Sequence, residues 1–138
     1  MPNLQASVKK PIAILCGDIH LSHNAPKNRA EKKHNWYRAM AQSLYGLRVC
    51  QEKHKCPIIM AGDIFDKWDS PAELINFAIK EMPDEVHAIP GQHDLPNHRH
   101  DLIHKSAYWT LVESGAIENI PVGESYVFIP EKLDVIAY

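Results

Sequence analysis

Three short turns carry the residues in this chain that could do metal chemistry: Gly17-Asp18-Ile19-His20, Gly62-Asp63-Ile64-Phe65-Asp66 and Gly91-Gln92-His93-Asp94. Each turn follows a brief apolar run, at 12–16, 58–61 and 86–89, that reads as a strand. Open α/β sheets bind their ligands at such strand ends. Carboxylates, imidazoles and a carboxamide gathered there suit one or two divalent metals. Asp18 and His20 are two residues apart on a segment expected to be extended, so they point to one side and can grip a single ion. Gly62 lets the backbone turn so that Asp63 faces the site. Gln92 can offer its carboxamide oxygen.

The elements that must position these turns follow from periodicity. The run at 11–16 reads as a strand buried on both faces. From about residue 28 to 50, Trp36, Met40, Leu44 and Leu47 recur at helical spacing, with Trp36 on the apolar stripe and so expected in the core. The polar face near its start carries Lys27, Arg29, Lys32, Lys33 and Arg38 against Glu31. That cluster is either a solvated helix face or a contact for a phosphodiester backbone. Ser70-Pro71-Ala72-Glu73 reads as a capping box opening a helix that runs to about Met82. A third helix is expected over 101–114, stopped by Gly115. His100 and His104 are four apart, the spacing of a two-histidine metal face, although solvated histidines are the plainer reading. His23 reads as a solvated loop residue. Strands are expected at 117–120, 126–129 and 133–137, with turns at 121–123 and 130–132.

Composition narrows the class. The 138 residues are 45% hydrophobic with a net charge of -2, enough for one domain with a real core and no general attraction to polyanions. Residues 1–10 read as an N-terminal tail and residues 11–138 as the domain. Three cysteines, Cys16, Cys50 and Cys56, have no C-x-x-C spacing. They read as free thiols rather than a disulfide framework or zinc ribbon. No apolar run approaches the roughly 18 residues of a membrane span. The expectation is a soluble, cytoplasmic protein with no membrane partner.

The order D-x-H, G-D-x-x-D, G-Q-H-D resembles the calcineurin-like metallophosphoesterase superfamily, whose signature is D-x-H, G-D-x-x-D, G-N-H-(D/E) and later histidine motifs. The resemblance runs from residue 12 to about 104 and more weakly beyond. It implies an α/β sandwich of two sheets flanked by helices. It also implies phosphoester hydrolysis by water activated between two divalent ions roughly 3.5–4 Å apart. By this resemblance Asp18, His20 and Asp63 hold the first ion, and Asp63 bridges to a second that Gln92 helps to hold. Gln92 stands where the family has asparagine, on a stem one methylene longer. Asp66 supports the loop, His93 protonates the leaving oxygen and Asp94 orients His93. A carboxylate against one ring nitrogen fixes the tautomer and favours the imidazolium of an acid catalyst.

G-D-I-F-D followed by Ser70-Pro71 and an amphipathic helix, with D-I-H-L at Asp18, looks most like the DNA double-strand-break repair exonucleases. That branch favours manganese. G-Q-H-D-L-P-N-H and S-A-Y-W-T-L-V-E-S-G resemble its phage and prophage members. The late histidine motifs do not occur in these 138 residues. The expectation is therefore a domain truncated to its N-terminal half, with a second sheet that a homodimer partner or another chain would cover. The expected function is divalent-metal-dependent, nuclease-like hydrolysis of DNA or another phosphodiester. Two alternatives stay open: a phosphatase or nucleotide phosphodiesterase on the same fold, and a weak or inactive half-domain that serves as a protein-binding module.

Overall fold

A computed structural model of the chain describes residues 9–31, 33–128 and 133–137. Most of the expected tail, the turn at 130–132, Ile129 and Lys32 lie outside the described residues. Four strands, β1 (Ile14–Cys16), β2 (Ile58–Ala61), β3 (Val86–Ile89) and β4 (Glu118–Asn119), run parallel in the order β1-β2-β3-β4. They alternate with helices α1 (Lys33–His54), α2 (Ala72–Glu81) and α3 (Ala107–Glu113). A chain that adds each parallel strand beside the last through right-handed crossovers must lay all its crossover helices on one face.

The core bears this out. Side chains of one parity, Ile58, Met60, Val86 and Ala88, share a buried cluster with Met40 and Leu44 of α1, Leu74 and Ala78 of α2, and Tyr108 and Leu111 of α3. Ile59 and Ile89, of the other parity, meet Ile120, Ala137 and Val135. The last of these belongs to an antiparallel hairpin of β5 (Ser125–Phe128) and β6 (Leu133–Ile136). The fold class is the expected one, mixed α/β with a parallel sheet flanked by helices. Among the described residues no helix is long and apolar enough to cross a membrane. Cys16, Cys50 and Cys56 form no disulfide, and burial pushes the Cys16 thiol up.

Four local expectations are corrected. The first strand is not buried on both faces, because β1 is the edge of the four-stranded sheet and Leu15 remains 74% exposed. The first helix starts and stops later than its apolar stripe suggests. Residues 26–29 form a turn, with the Arg29 N–H donating to the Pro26 carbonyl, and the helix continues until Lys55 adopts a left-handed φ of 52° ahead of Cys56-Pro57. The capping box at Ser70 does not form. Its hydroxyl donates to the Lys67 carbonyl at 2.8 Å, and Pro71 takes the N-cap position. Finally, the third helix is split. Residues His100–Lys105 are 3₁₀ and Ser106 caps α3 by accepting from the Trp109 N–H at 3.1 Å. The break is held by a tertiary bond, Ala107 N–H to the Trp68 carbonyl at 2.7 Å. His100 and His104 therefore share no α-helical face, and the His104 ring packs edge-on against Trp109 with centroids 4.3 Å apart.

Helix α1 gives a direct test of this packing. Leu44 is 1% exposed against the sheet while Val49 on the same helix is 43% exposed. Leu44→Ala is expected to cost about 2–5 kcal/mol in urea unfolding, and Val49→Ala to stay within about 0.5 kcal/mol.

Candidate metal centre

The loops that leave β1 and β2 remain zipped together by backbone bonds beyond the strands. Asp18 N–H donates to the Gly62 carbonyl at 3.1 Å, His20 N–H to Asp63 at 3.0 Å and Leu21 N–H to Ile64 at 2.8 Å. Asp66 N–H returns to the Leu21 carbonyl at 3.0 Å. This corrects the extended reading of Asp18 and His20. Both are left-handed, with φ of 52° and 48°, as is Asp63 at 50°. Non-glycine residues hold that conformation at a cost of about 1–3 kcal/mol each, and here the backbone ladder holds them in it.

The third turn approaches even more closely. A Cβ on Gly91 would fall onto the backbone nitrogen and carboxylate of Asp63, and one on Gly62 would come within 2.9 Å of the Gly91 Cα. Two glycines are thus required where the second and third strand ends touch. Into that contact the chain places Asp94, which is 0% exposed. Its carboxylate accepts from the N–H groups of Ile64 at 3.1 Å, Phe65 at 2.9 Å and Gly91 at 2.9 Å. Burial pushes its carboxyl above the ordinary carboxylate value, against the pull of those three bonds.

Asp94 is therefore not the orienting partner of His93, because its oxygens are already committed to the two loops. That partner is Asp63. The His93 ring donates from Nδ1 to Asp63 Oδ2 at 3.0 Å, and the His93 backbone N–H donates to Asp63 Oδ1 at 2.9 Å. Burial alone would raise the Asp63 carboxyl. The two bonds from His93 and the nearby imidazoles outweigh it and hold the group below its ordinary value.

His20 completes the cluster. Its Nε2 lies 3.8 Å from Asp63 Oδ2 and 3.9 Å from Asp18 Oδ1. Its ring stands 5.1 Å from that of His93. Donor atoms of His20, Asp63 and His93 all lie within 4.8 Å of one another. A separation of 3.8 Å is too long for a hydrogen bond, yet two metal–ligand bonds of roughly 2.0–2.2 Å span it. The Asp63 carboxylate and the His20 imidazole suit a first-row divalent cation, with His93 bonded to the same carboxylate beside them. Asp18 sits at the rim with its side chain 81% exposed, and Gln92 is exposed on the turn beside His93. Asp66 is half-buried. Burial raises its carboxyl, and its backbone N–H makes the bond to Leu21.

Other candidates fall elsewhere. His23 is only partly exposed, and its Nδ1 meets the Tyr37 hydroxyl at 3.0 Å. Trp36 packs against the core and donates from its indole to the Ser22 carbonyl at 2.9 Å, which pins the loop after His20 to α1. Within the basic cluster, Arg29 is paired with Glu31 and stacked over Trp36, while Lys27 and Arg38 are exposed. Sequence reading missed the Asp63–His93 pair. The signal for it was Gly91 itself, a glycine at a strand end that no turn geometry demands.

The model of the calcineurin-like phosphoesterase family matches residues 13–135, nearly the whole described chain. The chain belongs to this family. Comparison with curated proteins gave no match. A calcineurin-like phosphoesterase hydrolyses phosphoesters with divalent metal, and in this one the His20, Asp63 and His93 cluster is the candidate seat of the ion.

Three substitutions separate the roles in this calcineurin-like phosphoesterase. Gly91→Ala is expected to cost about 1–3 kcal/mol through overpacking against Asp63, whereas Gly46→Ala, whose Cβ meets nothing within 4 Å, should add about 0.5–1 kcal/mol of stability. Asp94→Asn replaces one acceptor oxygen with a donor facing backbone N–H groups. It is expected to lower unfolding stability by about 1–3 kcal/mol, as read from the urea midpoint.

Proposed function

We propose that the protein is a nuclease-like phosphodiesterase that hydrolyses DNA, with manganese as its ion. The observation that carries the reading is the openness of the cluster. The side chains of Asp18, His20 and His93 are 81%, 38% and 40% exposed, so the donors line a rim rather than a closed pocket. A rim admits a phosphate within a long polymer. Resemblance of the D-I-H-L and G-D-I-F-D stretches to repair exonucleases supports the same substrate.

Asp63 and His20 would hold the ion, with Asp18 joining from the rim and Gln92 offering its carboxamide oxygen. A divalent ion held there supplies positive charge that draws in the phosphate and acidifies water, the nucleophile of the reaction. Asp63 accepts the Nδ1 proton of His93 and so fixes the ring, leaving Nε2 to face the substrate. The water gives up one proton to solvent; as its oxygen bonds to phosphorus and the bond to the leaving oxygen breaks, His93 would deliver a proton from Nε2 to that oxygen. Asp94 takes no part in this transfer and acts by holding Gly91 and the Asp63 loop in place.

Calorimetric titration with Mn²⁺ tests the ligand assignment. Asp63→Ala is expected to abolish binding and Asp66→Ala to weaken it far less, and equal losses would refute the roles given to the two. Hydrolysis of linear DNA and of a chromogenic phosphodiester in Mn²⁺ tests the activity, with His93→Ala expected to lose about 10²–10⁴-fold in rate. Cleavage of phosphomonoesters with DNA left intact would overturn the nuclease reading.

A further inference from the structure

Among the described residues, His98 lies outside the cluster and is tied to the cluster's own backbone. It and Asn97 are consecutive non-glycine residues in the left-handed region, at φ of 56° and 52°. It is exposed, so burial does not account for the conformation. What the conformation achieves is a contact. His98 Nδ1 lies 3.0 Å from the Gln92 carbonyl oxygen. A carbonyl oxygen only accepts, so Nδ1 carries the proton and donates it. The same oxygen receives the Leu95 N–H at a longer 3.4 Å. His98 therefore makes the shorter of the two bonds to it.

That carbonyl and the His93 N–H belong to one peptide group. In a trans peptide the C=O and N–H bonds point in opposite directions, so their two dipoles add. His98 thus holds one end of the group while the other end donates to Asp63 Oδ1 at 2.9 Å. Hydrogen bonds linked through a peptide polarise one another, so strengthening the bond at the carbonyl strengthens the one at the N–H.

We propose that His98 is a positioning residue for the metal centre, acting through the 92–93 peptide to fix and polarise the N–H that orients the Asp63 carboxylate. The proposal rests on the reading of Asp63 as the principal metal ligand. It assigns His98 no contact with the ion or the substrate. Groups one step removed from a metal are known to set its affinity through the orientation of the ligands they bind.

Three substitutions at this position test it. His98→Asn places an amide donor where Nδ1 stands, and His98→Gln places one near Nε2. His98→Gly removes the side chain while tolerating the left-handed backbone as well as asparagine does or better. Two readouts apply. In metal-free protein, the His93 amide proton resonance should move upfield in His98→Gly and His98→Gln and return in His98→Asn. In calorimetry with Mn²⁺, affinity should fall about tenfold in His98→Gly and His98→Gln and return to within about twofold of wild type in His98→Asn.

Glycine matching asparagine in both readouts would show that only the backbone conformation matters and would overturn the proposal. Rescue by glutamine rather than asparagine would overturn it too, by placing the function at Nε2. If Asp63→Ala still binds Mn²⁺ with wild-type affinity, the ligand assignment falls. The His93 amide shift, measured without metal, would then decide the His98 link alone.

Discussion

The site depends on a buried carboxylate that binds backbone instead of metal. Asp94 is fully enclosed and accepts three N–H groups, two from the loop after β2 and one from the turn after β3. A charge taken out of water is costly unless its lone pairs are satisfied, and these three donors satisfy it. In return Asp94 helps fix the distance between two strand ends that are also joined by the last rungs of the β2–β3 ladder and by the His93–Asp63 bonds. Asp63 stands on one of those ends and His93 on the other. Their two hydrogen bonds span the same gap that Asp94 closes.

The first strand end is attached in another way. Between Gly17 and Leu21 the chain continues as a bare backbone ladder along 62–64. Trp36 then anchors it from the side by its bond to the Ser22 carbonyl. This ladder carries the strained backbone at Asp18 and His20 and brings His20 Nε2 to within 4 Å of the carboxylates on both sides of it. Asp18, His20 and Asp63 all hold left-handed backbone in loops that leave the strand ends, a conformation that is costly for non-glycine residues. The helices contribute at a distance, by filling one face of the sheet and leaving its carboxyl edge clear.

Much of this was legible in the sequence. The three strands, the three turns and the crossover helices follow from short apolar runs that end at glycines and alternate with helical periodicity. The equivalent places of the three turns at strand ends point to Asp18, His20, Asp63 and Gln92 as ligands with His93 beside them, and the structure gathers donor atoms of His20, Asp63 and His93. What sequence could not give was the direction of each side chain. Asp63 directly follows Gly62 and Asp94 lies three residues after Gly91, and only the contact between the two glycines decides which aspartate faces His93. The helix over 101–114 failed for a related reason. Its pattern is helical throughout, but a tertiary bond from Ala107 to Trp68 and the cap at Ser106 outweigh local propensity.

The central claim is that three strand ends converge on a single cation seat centred on Asp63. It is tested most directly by anomalous diffraction from crystals of the protein soaked in manganese chloride. The account predicts a strong peak within coordination distance of an Asp63 carboxylate oxygen and of His20 Nε2, with Asp94 still bound to its three backbone N–H groups. A peak coordinated by Asp94, or one far from Asp63, would contradict it.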